Sequence, residues 1–290
     1  MSVQRRHSAP LAAVLLAGCG TLSYVPRHPH RAAQSALEAF AASRQQLRSL
    51  RAEARVDQRG TQGRVRGTVW MFVERPDRVR FDVMTQFGPA STLTSAQGRF
   101  ALNDHKERRF LKGPSCSSNI ARLLGITLSA AEVTAMLLGQ VVSLAPARAH
   151  AVSRSGIRWD PRGFYRIVLG LPDRRRKELD LALPAEQAGL PLARQKLRLR
   201  RVEVFDAQGR SLWRVAYQDY RIVALEGQAA RSDGVVMPFR VHFEHQDREQ
   251  DVLVRFKDMT LNPQIPTSAF QQRPPPGRIV RWVTCNGAGP

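Results

Sequence analysis

Residues 63–74 read Gly-Arg-Val-Arg-Gly-Thr-Val-Trp-Met-Phe-Val-Glu, and residues 78–85, beyond Arg75-Pro76-Asp77, read Arg-Val-Arg-Phe-Asp-Val-Met-Thr. In the first run Val65, Gly67, Val69, Met71 and Val73 fall on one face, against Arg64, Arg66, Thr68, Trp70, Phe72 and Glu74 on the other. In the second, Val79, Phe81 and Val83 oppose Arg78, Arg80 and Asp82. Strand side chains alternate between faces, so two period-two runs joined by a proline turn predict an antiparallel hairpin with one face in a core.

The same reading extends outward. Short runs follow at 91–95, 99–102 and 108–112, separated by Gly98 and Asn103-Asp104, and later runs at 158–160, 164–169, 177–183, 197–205, 211–220, 235–244 and 251–256. Before them, Ala33, Ala36, Leu37, Phe40 and Leu47 recur at helical spacing and predict a helix within 31–50. Two apolar helical pieces interrupt the strands at 119–124 and 130–138, closed by Gly125 and Gly139, the second opened by a capping box of Ser129 and Glu132. No repeat period is present. About eleven strands with so few helices predict a mainly β chain: one large curved antiparallel sheet, covered by an N-terminal helix and two mid-chain lid helices. Three helices are too few to cover so wide an apolar face. The space beneath them is then either a lipid cavity or a solid core. Val69, Met71, Phe81, Val83, Leu123, Leu137, Met237, Phe239, Val241 and Val254 are the candidates to line it.

The N-terminus has Arg5 and Arg6, a short apolar run and then Leu16-Ala17-Gly18-Cys19. The run is about half the roughly 20 apolar residues that a spanning helix needs, so it reads as a processing segment. Leu-Ala-Gly-Cys resembles the bacterial lipobox, which implies cleavage before Cys19 and acylation of its thiol. The resulting expectation is a signal peptide over 1–18, a Pro-containing tether over 19–30, a folded body over 31–260 and a Pro-rich extension over 261–290. With Gly20 and not Asp after the cysteine, the resemblance implies the periplasmic face of the outer membrane.

The formal charge is +21, and removal of 1–18, with Arg5 and Arg6 its only charges, leaves +19. Only five of the 45 basic residues are lysine (Lys106, Lys112, Lys177, Lys196 and Lys257), a skew that GC-rich codon usage produces. The charge is therefore either mutational background or an attraction to anionic headgroups, worth about 1 kcal/mol per residue at close range. Export argues against nucleic acid as the partner. Cys116 and Cys285 are either a disulfide, which the periplasm permits, or free thiols without a role.

The order of elements resembles the LolA/LolB superfamily of lipoprotein-sorting proteins, over about residues 31–280. The matching pieces are Leu124-Gly125-Ile126-Thr127-Leu128 before a helix ending Leu137-Leu138-Gly139, the run Trp213 to Tyr220 with its two spaced tyrosines, and Val236-Met237-Pro238-Phe239. The resemblance implies an unclosed half-barrel lidded by helices. LolB-type members take lipoproteins from a soluble LolA-like carrier and use an exposed apolar loop residue at the membrane. The corresponding loop here is Thr85 to Pro89, which makes Phe87 the implied membrane-inserting residue. The C-terminal stretch Pro266 to Phe270, with Pro276-Gly277 behind it, looks more like LolA-type members.

No HExxH, Walker loop, G-x-S-x-G or G-x-G-x-x-G occurs, and His242 and His245 fall on opposite faces of a strand. The want of catalytic motifs leads to the expectation of no enzyme activity, no cofactor and no metal site. The sequence therefore supports two functions: an outer-membrane lipoprotein that holds acyl chains and receives or inserts lipoproteins, or an assembly lipoprotein with a closed core that binds a protein partner.

Overall fold

The computed structural model describes residues 24–60, 63–141, 155–227 and 234–285. The chain opens with α1 (Ala33–Arg44) and runs through β1 (Ser49–Gly60), β2 (Gly63–Glu74), β3 (Arg78–Thr85), β4 (Gly88–Ala96), β5 (Arg99–Asp104) and β6 (Arg109–Pro114). The lid pair α2 (Ser117–Leu124) and α3 (Ala130–Leu137) follows. The strands then resume with β7 (Ser155–Asp160), β8 (Phe164–Gly170), β9 (Arg176–Ala182), β10 (Arg198–Phe205), β11 (Ser211–Val223), β12 (Val235–His245), β13 (Gln250–Leu261) and β14 (Ile279–Trp282).

The fourteen strands of the described residues form one curved, unclosed sheet, in the order β14-β6-β5-β4-β3-β2-β1-β13-β12-β11-β10-β9-β8-β7. Two consecutive meanders meet where β1 pairs with both β2 and β13. Every neighbour is antiparallel except β14, which runs parallel to β6. Fourteen strands replace the expected eleven or so, and the first helix stops at Arg44, short of residue 50. The strand hidden there is β1. Its inward residues Ala52 and Ala54 are small because each faces bulky cross-strand partners, Ala52 against Met71 and Met259, and Ala54 against Val69 and Phe256.

The capping box forms as predicted, the Ser129 hydroxyl accepting from the Glu132 amide while the Glu132 carboxylate accepts from the Ser129 amide. Gly125 ends α2 in the left-handed region at φ 60°, a backbone conformation that favours glycine, with the flexible Gln58 side chain lying close to it.

Both ends of the described residues are fastened to the sheet. Over 24–30, read from sequence as part of a tether, the Tyr24 hydroxyl donates to the Leu183 carbonyl and Trp159 Nε1 donates to the Tyr24 carbonyl at 2.8 Å. The His30 amide donates to the Tyr165 hydroxyl, and the two rings meet edge to face. The Pro-rich segment beyond residue 261 crosses the outer face of β3 to β5. There Arg80 donates to the Ala269 carbonyl, and Gln272 Nε2 donates to the Thr92 carbonyl and the Thr94 hydroxyl. This cover is why Asp82, Thr92 and Thr94, outward residues of an otherwise solvated face, are buried. Asp82 is satisfied by Arg80 and the Thr92 hydroxyl.

Candidate functional site

The concave face carries the apolar half of each alternating strand, and the helices lay their own apolar stripes on it. α1 contributes Ala33, Ala36, Leu37 and Phe40, and α3 contributes Val133, Met136 and Leu137. The ten side chains expected to line a cavity are brought together here. Val69, Met71, Phe81, Leu137, Met237, Phe239, Val241 and Val254 belong to one contiguous cluster, none more than 8% exposed. Val83 and Leu123 are partly buried against it. These residues are packed into one buried cluster in this conformation.

Open space lies at the edge of the lids. Between α1 and α3 runs a groove of about 670 Å³, lined by Leu37, Phe40, Ala41, Ala131, Ala135 and Val141 among others, with Arg75 and Pro76 at one end. A second groove, of about 710 Å³, lies on the other side of the last turn of α1, between it and the starts of β10 and β12. Arg44 borders both. Both volumes fall within the roughly 300–1,000 Å³ of small-molecule sites.

Arg44 continues the buried stripe of α1 one turn beyond Phe40 and is only 4% exposed. Its Nη1 donates to Met237 Sδ at 3.2 Å and its guanidinium stands over the Phe40 ring. Among the described residues no carboxylate pairs with it. Burial pushes its pKa down, and the nearby Arg198 adds to that fall. Tyr217 and Tyr220 lie beside it, both with phenols pushed up by burial, and the Tyr220 hydroxyl donates to the Leu199 carbonyl. Sequence reading missed this arginine, although its spacing from Leu37 and Phe40 places it on the inner stripe.

Phe87 sits at the tip of the β3–β4 hairpin and is 91% exposed. The turn is closed beneath it by Thr85, whose hydroxyl donates to the Gly88 carbonyl at 2.8 Å and accepts from the Phe87 amide. The groove between α1 and α3 opens at the Arg75-Pro76 end of β3, and Phe87 lies at the opposite end of that strand.

Cys116 and Cys285 are adjacent but unbonded. Burial raises the Cys116 thiol, and hydrogen bonds from Cys285, Ser118 and nearby backbone amides outweigh it, leaving the net shift downward. The Ser118 hydroxyl also donates to the Cys285 carbonyl, holding the end of the chain on α2. Cys19 lies outside the described residues. Among the described residues no cluster of three or more His, Cys, Asp or Glu is arranged to hold a metal. Nor is any described helix long and apolar enough to cross a membrane.

No family model and no curated protein matches the sequence. Solved structures match the fold. A LolA superfamily protein from Nitrosomonas europaea aligns with 83% of this chain and 98% of its own, at a TM-score of 0.51 and 12% identity. A domain assigned to outer membrane lipoprotein sorting, from Vibrio parahaemolyticus, aligns with 82% of this chain and 94% of its own, at 0.50 and 11%. A DUF1329 family protein from Desulfovibrio piger aligns with 82% and 96%, at 0.52 and 10%. The chain carries the LolA/LolB-like fold.

Proposed function

We propose that this chain is a lipoprotein on the periplasmic face of the outer membrane, anchored through acylated Cys19, that takes acyl chains of lipids or lipoproteins beneath its lid helices. The observation that carries the reading is a broad apolar face under few helices: a fourteen-stranded unclosed sheet with three helices packed on it and a groove of about 670 Å³ between α1 and α3. The fold shared with a domain assigned to outer membrane lipoprotein sorting supports it. So does the lipobox-like Leu16-Ala17-Gly18-Cys19.

The mechanism needs no covalent step. Each methylene moved from water into apolar surroundings gains about 0.8 kcal/mol, so cargo follows relative affinity from a LolA-like carrier to this chain and on to the bilayer. Because the face beneath the groove is packed, uptake requires α1 and α3 to part and the acyl chain to take their place in the buried cluster that holds Met71, Phe81 and Met237. The exposed Phe87 serves as the residue that enters the bilayer during delivery. The +19 charge of the processed chain favours an anionic membrane surface.

One observation favours a second reading. The tight packing of the expected lining residues fits an assembly lipoprotein with a permanently closed core that holds a protein partner on its surface. Native mass spectrometry of the purified protein, with uptake of a fluorescent fatty acid, separates the two. Co-purifying lipid and saturable uptake support the carrier. A lipid-free protein that takes up no probe overturns it.

A further inference from the structure

The groove behind the last turn of α1 has Arg44, Arg48, Lys196 and Arg198 in its described lining and no carboxylate. Two of these cations are poorly compensated. Arg44 is almost fully buried, with the Met237 thioether, the Phe40 ring and the phenols of Tyr217 and Tyr220 around it and no carboxylate among the described residues. Arg198 buries Nε without a partner, and its nearest acid, Glu186, is at 3.9 Å and mostly solvated. The two guanidiniums are near enough to repel each other. Buried cations are normally paired, and like charges turned into one groove are stabilised by an anion bound between them. The neighbouring groove between α1 and α3 is mostly apolar, and the two share Ala42, Arg44 and Gln45.

A basic groove and an apolar groove meeting on either side of one helical turn suit a molecule with an anionic head and a hydrocarbon tail. We infer that the ligand is a phosphate-bearing lipid, with its phosphate on Arg44, Arg48, Lys196 and Arg198 and an acyl chain in the groove between α1 and α3. Guanidinium forks match phosphate oxygens in charge and geometry, and the ammonium of Lys196 adds a point charge. The inference rests on the acyl-binding reading above and narrows its cargo: an acylated polypeptide N-terminus brings the tails but no phosphate.

The test uses the full-length chain carrying Cys19→Ser, so that no attached lipid competes, and measures displacement of a fluorescent acyl probe. The competitors are a short-chain phosphatidylglycerol, the diacylglycerol with the same chains, and inorganic phosphate. Phosphatidylglycerol should displace the probe about tenfold more effectively than the diacylglycerol, as expected for one or two charge-assisted contacts. The double variant Lys196→Gln/Arg198→Gln should lose most of that preference while its response to the diacylglycerol stays within about twofold. Lys196 is exposed and Arg198 partly so, and an unchanged melting temperature confirms that the fold is kept. Equal displacement by the two lipids overturns the headgroup inference and leaves acyl binding standing. So does a preference that survives both the double variant and Arg48→Gln. Inorganic phosphate binding as tightly as the phospholipid, read by calorimetric titration of the same protein, assigns the groove to a free anion and overturns the lipid. If the probe itself does not bind, the acyl-binding reading fails, and this inference with it.

Discussion

Replacing Phe87 by glutamate should cut membrane delivery without touching the fold. The side chain is 91% exposed at the tip of a hairpin whose closing hydrogen bonds come from Thr85 and Gly88, so its removal costs the protein no core contact. A surface change of this kind shifts stability by about 0.5 kcal/mol or less. In the bilayer the balance is different. Transfer of a phenylalanine side chain from water to an apolar phase contributes about 1.5–3 kcal/mol, and glutamate forfeits this and opposes insertion with its charge. The step that uses Phe87 should therefore slow by about 10- to 150-fold, with Phe87→Leu retaining most of the activity. On the proposed acylation of Cys19 the mature protein stays on the membrane regardless, so the assay must read transfer and not attachment: acyl-labelled cargo moving from protein to vesicles in stopped flow. A Phe87→Glu protein that melts normally and transfers within twofold of wild type would show that Phe87 takes no part in delivery.

Filling the groove between α1 and α3 with Ala41→Trp and Ala135→Trp, both lining residues, should abolish fatty-acid uptake with little loss of stability, read by probe titration alongside thermal melting. Mild oxidation should join Cys116 to Cys285; a cross-link closing so long a loop stabilises by up to about 5 kcal/mol in the chain-entropy account, and mass spectrometry with melting curves before and after reduction checks it. His30 is buried with Nε2 unpartnered, and burial lowers its pKa below the ordinary 6.5; His245 is shifted the same way by burial and by Arg248. The folded state thus prefers both rings neutral, so their stabilisation is full above about pH 6.5 and is lost as pH falls below it. Each contributes a slope of at most about 1.4 kcal/mol per pH unit. Denaturant midpoints measured from pH 7.5 to 5 should fall, and His30→Phe should flatten the fall.

Most of the strands are legible because polar and apolar side chains alternate along them, as in Val79, Phe81 and Val83 against Arg78, Arg80 and Asp82. The two that are not legible fail for opposite reasons. β1 is buried at the centre of the sheet, but its inward Ala52 and Ala54 are small, so the alternation carries little hydrophobic contrast. In β14 all four residues are exposed, and the strand is held by backbone pairing to β6, which leaves no periodic mark on the side chains. The place of Phe87 was legible only through resemblance, since nothing in Thr85 to Pro89 distinguishes an exposed phenylalanine from a buried one. Whether the concave face closes was not legible at all. It depends on whether Leu37, Phe40, Met136 and Leu137 from the helices fill the volume above Met71 and Phe81, a three-dimensional sum that no periodicity encodes.

That closure decides which lid moves. A sixteen-carbon chain gains about 12–13 kcal/mol on full burial, and micromolar binding needs about 8, so roughly 5 kcal/mol remains to part the lids. At about 1.5–3 kcal/mol per large apolar side chain, α1 lies near that limit, since Leu37 and Phe40 are its only large buried apolar residues beside Ala33 and Ala36. α3 buries Val133, Met136 and Leu137, with Leu138 just beyond, and is fixed at its start by the capping box, so releasing it costs about twice as much. The buried Arg44 loosens α1 further, because it regains water when the helix lifts. Opening should therefore proceed through α1, pivoting on the strap of Tyr24 to His30 that holds it to β7, β8 and the Leu183 carbonyl. Amide exchange in native conditions should show α1 opening several kcal/mol below α3 and the central strands, with both helices slowed by a bound acyl chain. An α1 protected as strongly as β1 and β13 would leave no lid able to open within the energy a single acyl chain supplies, and would favour the permanently closed core.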